Sequence, residues 1–342
     1  MTDIIVSTEG QIGRIRLNRP AALHALTTAM CVGIMDALAA FETDDAIQVV
    51  VFDHAEGRGF CAGGDIRMLA NSMTSDGVAA RAFFHTEYRM NHRLFTYPKP
   101  TVAIMDGITM GGGVGIALPC RYRVATENTR FAMPETGIGL FPDVGGSWYL
   151  SRLPGQIGNF MALTGARLDG AECLAVGLAT HYLAASDLPA ALTALCDNAT
   201  DIHMTLKAHS TGAPIARIVA NRTHIDRFFA ATSVTGVVEA LANDPSDWAA
   251  KELATLKTKS PLSMAVAMRQ LDEGAAMSDF ADVMRMEYRI ACRVAAHPDF
   301  IEGVRALIID KDNAPRWTAD ASADAINRVF APLPAGQEWT PL

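Results

Sequence analysis

No two cysteines of this chain stand at the C-x-x-C spacing, although six are present, at positions 31, 61, 120, 173, 196 and 292. Scattered single thiols build neither a zinc ligand set nor a disulfide framework, so the expected setting is a reducing cytoplasm, with no metal. Long apolar runs are missing too, because a charge or a glycine interrupts each one before membrane-spanning length. The first residues, MTDIIVSTEGQIGRIRLNRP, lack a cationic stretch followed by an apolar one, so no secretory signal is expected. Positive charge is scarce: 29 Lys and Arg against 37 Asp and Glu leave a net charge of −8. That argues against nucleic acid or an anionic membrane as a partner, and leaves an anionic small ligand at a locally basic or N–H-lined site. With 342 residues, half of them hydrophobic, the chain can bury one large core or a core plus a smaller lobe.

The stretch 101–153 organises the rest. Thr101–Asp106 is apolar and partly β-branched, the composition of a buried strand. Gly107 ends it, the triplet Gly111–Gly113 follows, and Val114–Leu118 starts a helical pattern. A strand, a glycine turn and a helix N-terminus leave backbone N–H groups free for an anion, or for an oxygen that becomes one. A tight turn with close packing explains the same triplet equally well. A further strand, Tyr122–Ala125, leads to a loop carrying Glu135 and Asp143 among Pro134, Gly137, Gly139, Pro142, Gly145 and Gly146. The segment GRGFCAGGDIRML, 57–69, is a second glycine loop feeding a helix that begins near Asp65, or else a plain connection.

Around these, short strands are predicted at Ile4–Ser7, Gly13–Leu17 and Val49–Asp53, and helices at Leu26–Phe41 and Val78–Leu94. The second helix carries Arg81, His85, Glu87, Tyr88, Arg89, His92 and Arg93, a set that by itself reads as a solvated face. Strand–helix alternation over 1–187 predicts an α/β core with parallel pairing. From 188 to 342 only helical patterns occur, at about 188–197, 214–220, 223–230, 233–242, 246–258, 261–272, 278–295 and 299–309. Arg285, Arg289 and Arg293 form a stripe that reads as a solvated or interdomain face, with phosphate contact the lesser reading.

Three passages, NRPAALHAL, GRGFCAGGDI and GITMGGGVGIAL, resemble the crotonase (enoyl-CoA hydratase/isomerase) superfamily. FAMPETGIGLFPDVGGSWYLSRLPG resembles its 3-hydroxyisobutyryl-CoA hydrolase branch, as do FFHTEYRMN, LKTKSPLSMAVAMRQL, MEYRIACR and DFIEGVRALIIDKDNAPRW. The resemblance covers nearly the whole chain. It implies an α/β (α+β) fold, a crotonase-like spiral of ββα units over 1–187 with an all-helical C-terminal region over 188–342. It also implies thioester hydrolysis of a 3-hydroxyacyl-CoA in valine catabolism, with an acyl-CoA as partner and no cofactor beyond the coenzyme A of the substrate. A homo-oligomer is compatible with it.

By the same resemblance, the oxyanion donors are the N–H groups of Ala62, or the adjacent Gly63, and of Gly112. Glu135 is the nucleophile or base, and Asp143 accepts the 3-hydroxyl of the substrate. Glu87 matches an acidic position of the branch near the substrate. Leu23, Gly63, Gly64, Asp65, Ile66 and Gly111 are expected along the CoA thioester. Where hydratases carry the first of two glutamates, this chain has Gly115, and Asp143 stands where they have glycine, which favours the hydrolase arrangement. Ala21 replaces a lysine common just after NRP, leaving Arg19 or His24 to meet phosphate charge. The rival readings are an enoyl-CoA hydratase or isomerase working with Glu135 alone, and a non-catalytic CoA-binding subunit.

Overall fold

The computed structural model describes residues 2–342. A hairpin of β1 (Ile4–Glu9) and β2 (Ile12–Leu17) opens the chain, Ile4 opposite Leu17 and Glu9 opposite Ile12. Three times thereafter the chain lays a strand in a large sheet, turns, and lays a shorter one in a small sheet. The pairs are β3 (Val49–His54) with β4 (Gly59–Cys61), β5 (Thr101–Met105) with β6 (Ile108–Met110), and β7 (Tyr122–Ala125) with β8 (Arg130–Ala132). Then β9 (Leu168–Asp169) closes the small sheet and β10 (His181–Tyr182) the large one. The large sheet runs β1-β2-β3-β5-β7-β10, parallel beyond the hairpin; the small one runs β4-β6-β8-β9, parallel except at β9.

Glycine makes the switch between sheets possible in the first two pairs. Gly57 has φ +102° and Gly107 φ +104°, and a Cβ on Gly107 would stand 2.4 Å from the Arg58 carbonyl oxygen. The predicted strand 101–106 is β5, and an unpredicted strand, β6, follows between Gly107 and the glycine triplet. None of the small sheet's strands is in the sequence-based prediction, because two or three residues show no periodicity.

Helices follow where the periodicity places them. The first, α1 (Thr28–Thr43), is capped by Thr27, whose hydroxyl accepts the Met30 N–H at 3.2 Å. Then come α2 (Ile66–Met73), α3 (Val78–Phe95), α4 (Gly112–Ala117) and α5 (Gly146–Leu150). One face of α3 is buried, and Phe83 and Phe84 on it each contribute ~1.5–3 kcal/mol. Glu87 lies on that buried face and not in solvent, so the solvated-face reading fails for it. After β10, helices Leu188–Asp197 and Ile202–Ala208 bury Leu188, Leu195 and Leu206 against Val49, Val51 and Val102 of the large sheet. Helices Pro261–Ala276 and Phe280–Val294 pack into the main core beside α3 and α5. Helices Ile202–Ala208 and Ala323–Phe330 were not predicted from the sequence. Among the described residues no helix is long and apolar enough to cross a membrane.

Candidate active site

Because β4, β6 and β8 run parallel as neighbours, their C-terminal ends open side by side. The first end continues into Ala62–Gly64, the second into Gly111–Gly112, the third into Pro134 and Glu135. Ligand sites of parallel sheets form at such ends. Here the three ends line a cavity of about 250 Å³, joined by Ile66, Glu87, Asp143, Leu307 and Ile308.

The glycine loops do present N–H groups, but not the one expected. The Ala62 N–H donates to the Leu23 carbonyl oxygen at 2.9 Å, so Ala62 is spent on its own wall and is not an oxyanion donor. Gly63 turns at φ +125°, and its carbonyl accepts the Leu26 N–H at 2.8 Å. In a trans peptide the following N–H points opposite to that carbonyl, so Gly64 N–H is aimed away from Leu26, across the cavity. The Gly63–Gly64 peptide faces α4: the Gly63 carbonyl carbon is 3.3 Å from where a Cβ on Gly112 would stand. Neither the Gly64 nor the Gly112 N–H has a hydrogen-bond partner among the described residues. The N–H of Gly63, the other expected donor, is unbonded as well, but the peptide that faces α4 carries the Gly64 N–H, so the pair taken is Gly64 with the expected Gly112.

Across from these donors lie three buried carboxyl groups, with no cationic side chain within 4 Å among the described residues. Glu135 is next to Gly111, its Oε1 3.4 Å from a Cβ built there, and its Oε2 is buried without a partner. Glu87 Oε1, also without a partner, lies 2.5 Å from a Cβ built on Gly112. Asp143 is tethered: Tyr88 O–H donates to its Oδ2 at 2.8 Å. Burial first, then the charge of Asp143, push both Glu87 and Glu135 well above the usual carboxylate range. Burial raises Asp143 up to about 7, against the lowering bond from Tyr88. The cluster therefore shares fewer than three negative charges near neutrality, and the protonation state of each acid depends on its neighbours.

Of the predicted residues, the cavity wall contains Ala62, Gly63, Gly64, Ile66, Glu87, Gly111, Gly112, Glu135 and Asp143. Asp65 and Leu23 stand behind it. Asp65 caps α2 through the Met68 N–H and pairs with Arg19 at 3.3 Å. His24 is fully buried, its Nδ1 accepting the Arg19 N–H and its Nε2 meeting the Glu56 carbonyl, so it cannot reach a phosphate. A Cβ on Gly115 would stand 2.6 Å from Asn91 Nδ2 and 2.7 Å from Val144 Cβ, which leaves no room for an acid there. The arginine stripe holds chain rather than phosphate: Arg289 binds Glu338, and Arg293 the Val329 and Pro332 carbonyls. Sequence reasoning placed Tyr88 on the solvated face and missed Gln270 and Glu287, yet all three are buried polar side chains that bind the Asp143 loop. It also missed Arg167, a cation at the cavity wall with no carboxylate within 4 Å among the described residues.

The profile of the family described as enoyl-CoA hydratase/isomerase matches residues 12–331. The mitochondrial 3-hydroxyisobutyryl-CoA hydrolase of Danio rerio is 41% identical, the match covering 97% of this chain and 90% of that protein. The protein of the same name from Xenopus tropicalis is also 41% identical, over 97% and 89% of the two chains. Among solved structures, a carnitinyl-CoA dehydratase from Mycobacterium thermoresistibile is similar at a TM-score of 0.94 with 37% identity, covering 99% of both chains. The two hydrolases are mitochondrial by name, which overturns the cytoplasmic expectation. Unpaired thiols do not separate the cytosol from the interior of an organelle.

Proposed function

The chain belongs to the enoyl-CoA hydratase/isomerase family, and from that premise we propose that it hydrolyses 3-hydroxyacyl-CoA thioesters, 3-hydroxyisobutyryl-CoA before others. The products are the hydroxy acid and coenzyme A, a step of valine breakdown. The observation that carries the chemistry is a buried Glu135 without an ion-pair partner, opposite two unbonded N–H groups on adjacent strand ends.

With the thioester carbonyl between the walls, ionised Glu135 attacks its carbon and forms the tetrahedral oxyanion. Gly64 and Gly112 N–H groups hold that oxygen; one such donor is worth ~3 kcal/mol of barrier. Collapse breaks the C–S bond, the thiolate of coenzyme A leaves, and water cleaves the Glu135 anhydride to return the carboxylate. Asp143 accepts the 3-hydroxyl with the oxygen that Tyr88 leaves free. Burial and then the charge of Asp143 raise the Glu87 carboxyl, which favours its protonated form beside the attacking carboxylate. Arg167 at the cavity wall meets the phosphate charge that His24 cannot. The chemistry requires neither a metal nor a redox group.

The test is release of free thiol from 3-hydroxyisobutyryl-, 3-hydroxypropionyl-, isobutyryl- and crotonyl-CoA. Hydrolysis of the hydroxyacyl thioesters is expected. Loss of the crotonyl-CoA conjugated absorbance without thiol release would establish the hydratase reading instead, and inertness toward all four would leave the binding-subunit reading.

A further inference from the structure

We infer that Tyr88, Gln270 and Glu287 are positioning residues that clamp the turn 142–147 from outside, and that this clamp gives Asp143 its selectivity for hydroxylated substrates. The inference rests on the hydrolase reading and deepens it.

The turn is held at four successive points. Gln270 Nε2 donates to the Pro142 carbonyl at 2.5 Å, and Tyr88 O–H to Asp143 Oδ2 at 2.8 Å. Glu287 accepts the Gly145 N–H on Oε2 at 2.7 Å and the Ser147 N–H on Oε1 at 2.8 Å. All three clamping side chains are buried, and Glu287 has no cation within 4 Å among the described residues. A buried carboxylate answered only by backbone N–H groups is a costly way to fill space.

What the clamp opposes is visible one residue on. Val144, fully buried and β-branched, sits at φ +53°, a strained conformation for such a residue that persists only when its surroundings impose it. Released from Gln270 and Glu287, Val144 would relax toward negative φ and swing the Asp143 side chain off its position. The same strain explains Gly115, since Val144 Cβ lies 2.7 Å from a Cβ built there. A side chain at 115 and this turn exclude one another. The clamping residues come from the passages FFHTEYRMN, LSMAVAMRQL and MEYRIACR, one from each.

The experiment measures kcat/KM of the full chain on 3-hydroxyisobutyryl-CoA and isobutyryl-CoA, together with Tm, for wild type, E287Q, V144G and the double variant. E287Q keeps one acceptor and loses the other, so the preference for the hydroxylated substrate should fall by ~10-fold or more, the scale of a small misplacement. Glycine at 144 holds the turn without strain, so V144G should return the preference in the E287Q background to within ~3-fold of V144G alone. A folded E287Q with wild-type preference would overturn the clamp and leave Glu287 a mere structural support, as would absence of coupling in the double variant. If E287Q does not fold, Y88F, which removes a single hydroxyl, must lower the preference, and an unchanged preference overturns the inference. Wild-type protein that releases no thiol from either substrate rejects the hydrolase reading itself, a result separable from the variant ratios.

Discussion

The cavity has two walls of opposite construction. On one side, Gly64 and Gly112 contribute only backbone, and the loop at Gly64 is fixed by backbone-to-backbone bonds from Leu23 and Leu26. On the other, Glu87, Glu135 and Asp143 contribute only side chains, and the turn bearing Asp143 depends on side chains 55, 128 and 142 positions away. The donor wall follows directly from strand ends and glycine, and needs no tuning to serve any oxyanion. The acid wall decides which reaction the oxyanion belongs to. A family can therefore keep the first wall and change chemistry by re-supporting the second.

Substitutions separate the two walls, and the largest effect belongs to the acids. Glu135→Gln preserves shape and removes the charge, so kcat for thiol release should fall by ~10²–10⁴ with little change in KM. Near-wild-type turnover would take the nucleophile away from Glu135. On the donor wall, Gly112→Ala adds a Cβ 2.5 Å from Glu87 Oε1 and 2.9 Å from Leu26 Cδ1. One of them must yield, which moves the donor, and turnover should drop by ~10² while Tm changes little. A proline at 112 satisfies helix rules, since the position is the first of α4, but it meets the same obstruction. Full activity in Gly112→Ala would show that the oxyanion does not rely on this wall.

The donor wall is the more legible of the two in the sequence, because glycine at a left-handed position is a backbone requirement written as a residue type. Gly63 and Gly111, at φ +125° and +46°, are such positions. Which N–H is free was not legible, since the choice of Gly64 over Ala62 depends on Leu23 and Leu26, about forty positions earlier. The small sheet that aligns the three ends was not legible either, its strands being too short for any period. On the acid wall, Glu135 and Asp143 stand out among prolines and glycines. Their supports do not: Tyr88, Gln270 and Glu287 lie on amphipathic helices, where a polar residue reads as exposed until packing shows otherwise. Glu87 was separated from its helix face by resemblance, not by spacing.

A smaller effect concerns pH. Activity needs ionised Glu135, so kcat rises with pH through the apparent ionisation of the cluster. Asp143, itself raised to about 7, adds its charge to burial in holding the Glu135 proton. Asp143→Asn removes that charge, so the ascending limb of the kcat profile on isobutyryl-CoA, which has no hydroxyl to bind, should move to lower pH. An unmoved limb would mean that the two acids are electrically independent.

The smallest effect is a gain in stability, and it belongs to Glu87. Its folded pKa is raised, by burial and then by Asp143. Between the ordinary glutamate range and that raised value the folded chain holds a proton that the unfolded chain has released. Stability therefore falls as pH rises through this window, and is unaffected below it, where both states are protonated. Glu87→Gln has no proton to lose. The variant should match wild type near pH 4 and exceed it in denaturant midpoint near pH 8, at the expense of activity, as expected when a site holds more buried acid than stability favours. Denaturant midpoints at the two pH values decide it. A variant equally displaced at both would show that Glu87 acts on stability through packing and not through its charge, and the acid wall would then carry less electrostatic strain than its three buried carboxyl groups imply.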